Sequence, residues 1–270
     1  MLYKFKSAKI LANNHYIIES STQQVMQTDD FWDVVRNRHS TRKFKPDAVA
    51  SEDIQKMLEA ARWAMSGANA QPWEFVVVDD ALVKERIIAS WPEARKETFV
   101  IEQTRQAELR HPNFHNLEVS PGFKDAAVFI IMLGDRRTYQ ATVQAANYLW
   151  GEGGTDATYL KNIGNAAQIL HLAAAALGLG TQWVSANRIW GEAIKQILGI
   201  PDVLDVHSLV AVGYADSLPK KRYRRPLEQM VHHNHYEIEK YRSAEDIQKF
   251  LFDLRQSTKP TYDRYGGQDA

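Results

Sequence analysis

The chain has 270 residues, 44% of them apolar and 24% charged, enough for one large domain or two small ones around a sizeable core. Lys+Arg and Asp+Glu balance at 33 each, so no global charge draws the protein to nucleic acid or to an anionic membrane. Cysteine is absent, which excludes disulfide staples, thiolate metal sites and thiol catalysis and fits a reducing cytoplasm, and no apolar run approaches the roughly 20 residues that span a bilayer.

Residues 1–29 show no sustained periodicity, no apolar stretch of a secretory signal, and read as an extension. Thr28, Asp29 and Asp30 are candidate caps for a helix with Phe31, Val34, Val35 and Arg38 on one side. A basic loop, 39–45, leads to a second helix starting at Ser51, with Ile54, Met57, Leu58 and Ala61 at helical spacing. The segment WEFVVV, 73–78, reads as a strand. Residues 84–122 read as a helix and then a loop broken by Pro112, Pro121 and Gly122. A buried strand is expected at 126–133, and a mobile loop at 151–156. Residues 162–177 are apolar on nearly every side and predict a core helix capped by Gly178. A third strand at 181–185, a short helix at 190–198 ended by Gly199, and a fourth strand at 206–214 follow. Ser243 and Asp246 form a capping box for a last helix with Ile247, Phe250, Leu251 and Leu254 on one face. Four strands separated by helices predict an α+β or α/β layer fold.

Several segments could carry chemistry. Arg38-His39-Ser40-Thr41-Arg42 offers two guanidiniums, an imidazole and two hydroxyls where a helix gives way to a loop. These are the donors that a phosphate takes, although a solvated basic loop has the same composition. Ser66-Gly67-Ala68-Asn69-Ala70-Gln71-Pro72-Trp73 runs into a strand; Gly67 permits close backbone approach and the two amides can read a heterocycle edge, or the stretch is an ordinary turn. Lys220–Arg225 places five cations in six residues, which repel one another unless an anion is near. Neither a dinucleotide fingerprint nor a Walker sequence is present. The run His232-His233-Asn234-His235 lacks metal-ligand spacing, and no nucleophile elbow is found.

The order of these segments resembles the nitroreductase family. The matching motifs are RHSTRKF at 38–44, SGANAQPWEFVVV at 66–78, ALGLGTQWVSA at 176–186, LGIPDVLDVHSLVAVGY at 198–214 and RRPLEQMVHHNHY at 224–236. The resemblance spans roughly residues 30–236, framed by the extension 1–29 and a C-terminal arm, 237–270, that could clasp a partner subunit. It implies an α+β fold of three layers, a central mostly antiparallel sheet flanked by helices, in an intertwined homodimer with FMN at the subunit interface. It implies that Arg38, His39, Ser40 and Arg42 hold the FMN phosphate and one flank of the flavin, joined by Arg222, Arg224 and Arg225. Ser66, Gly67 and Asn69 would come from the other subunit, and Trp183, Val184, Ser185 and Ala186 would pass beside the ring.

The family resemblance further implies a cytoplasmic enzyme that carries hydride from NADH or NADPH to a small electron-poor acceptor (a nitroaromatic, quinone or activated enone) in a ping-pong cycle. No side chain is expected to act as catalytic acid or base, since the cofactor carries the chemistry. No nucleic acid, membrane or metal is expected as a partner. The alternatives are another flavin-dependent task, such as reductive dehalogenation or oxygen-dependent chemistry, and a flavin-binding module without turnover.

Overall fold

The computed structural model describes residues 28–110, 114, 117, 120–138, 154–217 and 223–262. Six α-helices and four strands alternate among them: α1 (Thr28–Asn37), α2 (Ser51–Arg62), β1 (Trp73–Val78), α3 (Ala81–Gln103), β2 (Val128–Gly134), α4 (Gly154–Ala176), β3 (Gly180–Ser185), α5 (Arg188–Leu198), β4 (Asp205–Gly213) and α6 (Ala244–Tyr262).

Local chemistry explains most of the boundaries. The Asp80 carboxylate accepts from Val83 N at 2.9 Å and starts α3; the Asn187 side chain accepts from Trp190 N at 3.0 Å and starts α5. Gly199, at φ 68°, stops α5 in the left-handed region. At the end of α4, Leu179 N donates to Ala174 O and Gly178 N to Ala175 O, with Gly178 at φ 74°. This pair of bonds lets the chain reverse at once into β3. Ser243 and Asp246 cap α6 reciprocally, Asp246 N donating to Ser243 Oγ at 3.1 Å and Ser243 N to Asp246 Oδ2 at 2.9 Å.

The strands form one sheet in the order β1-β2-β4-β3, antiparallel at every pairing. The expected α+β architecture is therefore observed. β2 is buried at all seven residues, and its pleat serves two cores. Val128, Ile130 and Met132 join Val210 and Val212 beneath α2 and α4, packing on Met57, Ala61, Ala166 and Leu170. Phe129, Ile131 and Leu133 join Leu209 and Ala211 on the opposite face, against Ile87 of α3 and Trp190 and Ile194 of α5. A strand buried on both faces reads as a continuous apolar run, and each large side chain there contributes about 1.5–3 kcal/mol by leaving water.

Two expectations shift. Residues 154–156, read as part of a loop, begin α4, because the apolar stripe of that helix continues to Tyr159. α3 starts at Ala81, ahead of the expected residue 84, and runs through Pro92 to Gln103. The last helix, begun at its expected cap, runs to Tyr262 within the C-terminal arm. The extension at 1–29 lies outside the described residues apart from Thr28 and Asp29, as do 151–153 and Arg222.

Candidate functional site

The basic segment at 38–45 is not a free loop. It lies along the exposed edge of β3, with Ser40 bridged in parallel to Thr181 and Thr41 N donating to Thr181 O at 2.8 Å. It then crosses to the end of β4, where Lys45 N donates to Tyr214 O at 2.9 Å and Phe44 enters the second core. Thr41 and Phe44 point inward and are buried, which leaves Arg42, Lys43 and Lys45 directed outward. Gly180 is required here, because a Cβ on it would stand 2.3 Å from Thr41 Oγ1.

A cavity of about 310 Å³ opens at this corner, lined by Arg38, His39, Gly180, Thr181, Leu179 and Ala215 among others. Burial lowers the pKa of Arg38 from its ordinary value, and the like charge of Arg224 lowers it further. The charge of the second basic segment thus acts on the first. Arg224 Nη1 donates to Tyr223 O at 3.0 Å, and Arg225 Nη2 donates to Gln229 O at 2.7 Å. His39 Nε2, Thr41 Oγ1 and Gln182 Oε1, on this segment and on β3, are buried without a hydrogen-bond partner, as is His171 Nε2 behind Thr181; Arg225 Nε, on the second basic segment, is another. Buried polar groups are nearly always satisfied in native proteins, so these atoms are free bonding positions beside the strand edge.

Ser66, Gly67 and Asn69 lie elsewhere. Their loop leads into β1, on the opposite edge of the sheet from β3, and is tied to α4: Gly67 N donates to Asn162 Oδ1 at 3.3 Å and Asn165 Nδ2 to Met65 O at 3.0 Å. Ser66 Oγ accepts from Gln71 N at 3.0 Å. Ala68, Asn69 and Gln71 all adopt positive φ, at 52°, 54° and 46°. The left-handed region costs an L-residue roughly 1–2 kcal/mol, so the loop holds its shape against local preference. Three strand spacings of about 4.8 Å separate the edges that carry this loop and Trp183–Ala186. One chain does not bring the two together on its sheet.

Trp183 is half-exposed; its Nε1 donates to Ser185 Oγ at 2.8 Å, and its ring sits 5.9 Å from that of His171. Val184 packs into the second core and Ala186 N donates to His207 O at 3.1 Å. His207 is the extra residue of a bulge, since Met132 pairs with Ser208 and Leu133 with Val206. The bulge turns its imidazole to 2.9 Å from the Tyr159 hydroxyl, which donates to Asp205 Oδ2 at 3.0 Å. Burial foremost, then Asp205, raises the Tyr159 pKa, so the phenol stays protonated. His232 accepts from Glu237 N at 3.1 Å and stacks on Tyr236. The motifs at 176–186 and 198–214 contain Thr181, Gln182 and His207 but point to no role for them, and His171 and Tyr159 lie outside every motif. A lone histidine within the apolar run ILHLAAAA was the one available signal.

Residues 35–214 match the family model described as the nitroreductase family. The chain belongs to the nitroreductase family. It is 30% identical over 196 residues to an NADH dehydrogenase of Thermus thermophilus, covering 72% of this chain and 91% of the relative. It is 29% identical over 177 residues to a 5,6-dimethylbenzimidazole synthase of Rhodospirillum rubrum, covering 66% and 78%. Among solved structures, an FMN-dependent nitroreductase of Clostridium difficile superposes with a TM-score of 0.53 at 25% identity, over 76% of this chain and 99% of that one. The family consists of FMN-dependent oxidoreductases that draw on NAD(P)H, so membership bears out the enzyme class and the cofactor expected from the motifs. No helix among the described residues is long and apolar enough to cross a membrane.

Proposed function

We propose that this chain is a cytoplasmic, homodimeric FMN oxidoreductase that passes hydride from NADH or NADPH to a nitroaromatic, quinone or activated enone. The observation that carries this reading is the cavity of about 310 Å³ lined by Arg38, His39 and Thr181, where Arg38 is half-buried and feels the charge of Arg224. A half-buried guanidinium that feels a second positive charge is destabilising alone, and a phosphate dianion beside it reverses the sign of the interaction. The unpartnered His39 Nε2, Thr41 Oγ1 and Arg225 Nε supply further bonding positions, and Gln182 Oε1 can accept from a ribityl hydroxyl. The residues present fit the group.

FMN supplies the two-electron chemistry when bound. The protein's own residues bind and orient it. Arg38, His39, Ser40, Arg42, Arg224 and Arg225, with Arg222, hold the phosphate end, while Trp183, Val184, Ser185 and Ala186 line the ring on the edge of β3. Ser66, Gly67 and Asn69 reach the ring of the partner's site, a reading supported by their place on the far edge of their own sheet. Proton exchange with solvent needs no dedicated side chain.

The similarity to the Rhodospirillum rubrum synthase supports a second reading, in which the same pocket serves a different flavin-dependent task. An absorbance spectrum of the purified chain followed by anaerobic titration with each nicotinamide decides between them. Bleaching of the flavin band by NADH or NADPH, with reoxidation by a nitroaromatic, is expected; a yellow protein that neither nicotinamide bleaches favours the second task.

A further inference from the structure

Behind the anion-facing side chains stands a histidine that the binding scheme does not use. His171 projects from α4 toward β3 and is 7% exposed. Its Nδ1 lies 2.7 Å from the Thr181 hydroxyl, and its Nε2 is buried without a partner. Thr181 in turn holds the basic segment, its carbonyl accepting from Thr41 N at 2.8 Å. His171 therefore braces, through one residue of β3, the loop that carries Arg38 and Ser40.

We propose that His171 is a positioning residue of the anion site and takes up a proton from solvent when a phosphate dianion binds beside Arg38. The inference rests on the FMN reading above. A neutral imidazole has one donor and one acceptor nitrogen, so whichever tautomer serves Thr181 leaves Nε2 unsatisfied in a dry junction. An imidazolium gains a second N–H and a charge. In the free protein, burial and then the charge of Arg38 oppose that charge and push His171 down to about 4. A dianion beside Arg38 offsets both effects.

The surroundings leave few competing groups. From β3, Thr181 and Trp183 carry no charge; from the end of α1, Arg38 acts on the imidazole and Arg224 on Arg38, and Asp33 and His39 line the same cavity as Arg38. Its neighbours along α4 at Ala167, Gln168, Ala174 and Ala175 are uncharged.

The test compares the flavin-free full-length chain with His171→Asn, which keeps a hydrogen-bonding atom near Thr181 and cannot titrate. Calorimetry at pH 6.5 in buffers of different ionisation enthalpy counts protons taken up with FMN, with riboflavin, which lacks the phosphate, and with inorganic phosphate. For FMN and for phosphate, the wild type is expected to take up about half a proton more than the variant. Riboflavin should show no difference. Equal uptake with FMN overturns the role of His171 and leaves the flavin site standing; failure of the wild type to bind FMN overturns both. Should the variant not fold, the imidazole NMR signals of wild-type His171 decide: movement to imidazolium values on adding inorganic phosphate supports the inference, and unchanged signals refute it.

Discussion

Arg38 and Arg224 bear on each other through their charges although no secondary-structure element joins the segments that carry them. The repulsion makes the corner a place where removing a charge relieves the free protein and harms the bound one. Arg38→Ala is expected to weaken FMN about 10- to 100-fold, the value of one charge-assisted hydrogen bond of about 1.5–3 kcal/mol. The thermal midpoint of the flavin-free chain should hold or rise slightly. A purified variant with full flavin absorbance removes Arg38 from the site.

Acid should destabilise the flavin-free chain through His171. Its folded pKa, near 4, lies below the ordinary 6.5, so the unfolded chain binds more protons through this window. The contribution is present above pH 6.5 and is lost as the pH falls toward about 4, amounting to at most about 3 kcal/mol. Urea denaturation between pH 7 and 5 measures it, and His171→Asn should flatten the profile.

Ala68 stands at φ 52° and ψ 24° without a bond that requires its methyl group. Ala68→Gly should stabilise the chain by about 0.5–1 kcal/mol, the relief of left-handed strain less the added freedom of the unfolded glycine. Chemical denaturation that shows a loss instead argues that the loop carries no stored strain.

Gly180→Ala drives a methyl group into Thr41. We expect a loss of about 1–3 kcal/mol from the overpacked contact together with reduced FMN occupancy, since the displaced residue anchors the segment from Arg38 to Arg42. A variant with wild-type occupancy shows that this anchor is dispensable.

Tyr159→Phe removes the hydroxyl that lies between Asp205 and His207. A cost of about 1–2 kcal/mol is expected from the partners it leaves. Because burial and Asp205 raise the phenol's pKa, the difference between variant and wild type should not vary from pH 6 to 9.

The sequence by itself determined the elements and the family. Apolar runs long enough to fill both faces of a sheet, glycines at 178 and 199 that close helices, and caps at Ser243 and Asp246 act over a few residues, so their spacing is visible along the chain. Residues 154–156 escaped that reading because glycine and threonine at a helix start look like a turn until the buried Tyr159 one turn later is seen against the sheet. The basic segments at 38–42 and 224–225 were visible as charge, but charge alone is equally a solvated surface. Only the tertiary structure decided that the first lies along β3, that the charge of Arg224 acts on it, that the loop at Ser66–Asn69 sits on the opposite sheet edge, and that a histidine in an apolar helix touches Thr181. These relations depend on strand order and on the face each side chain presents, and strand order is set by which apolar surfaces cover one another across the whole fold rather than by any local run of residues.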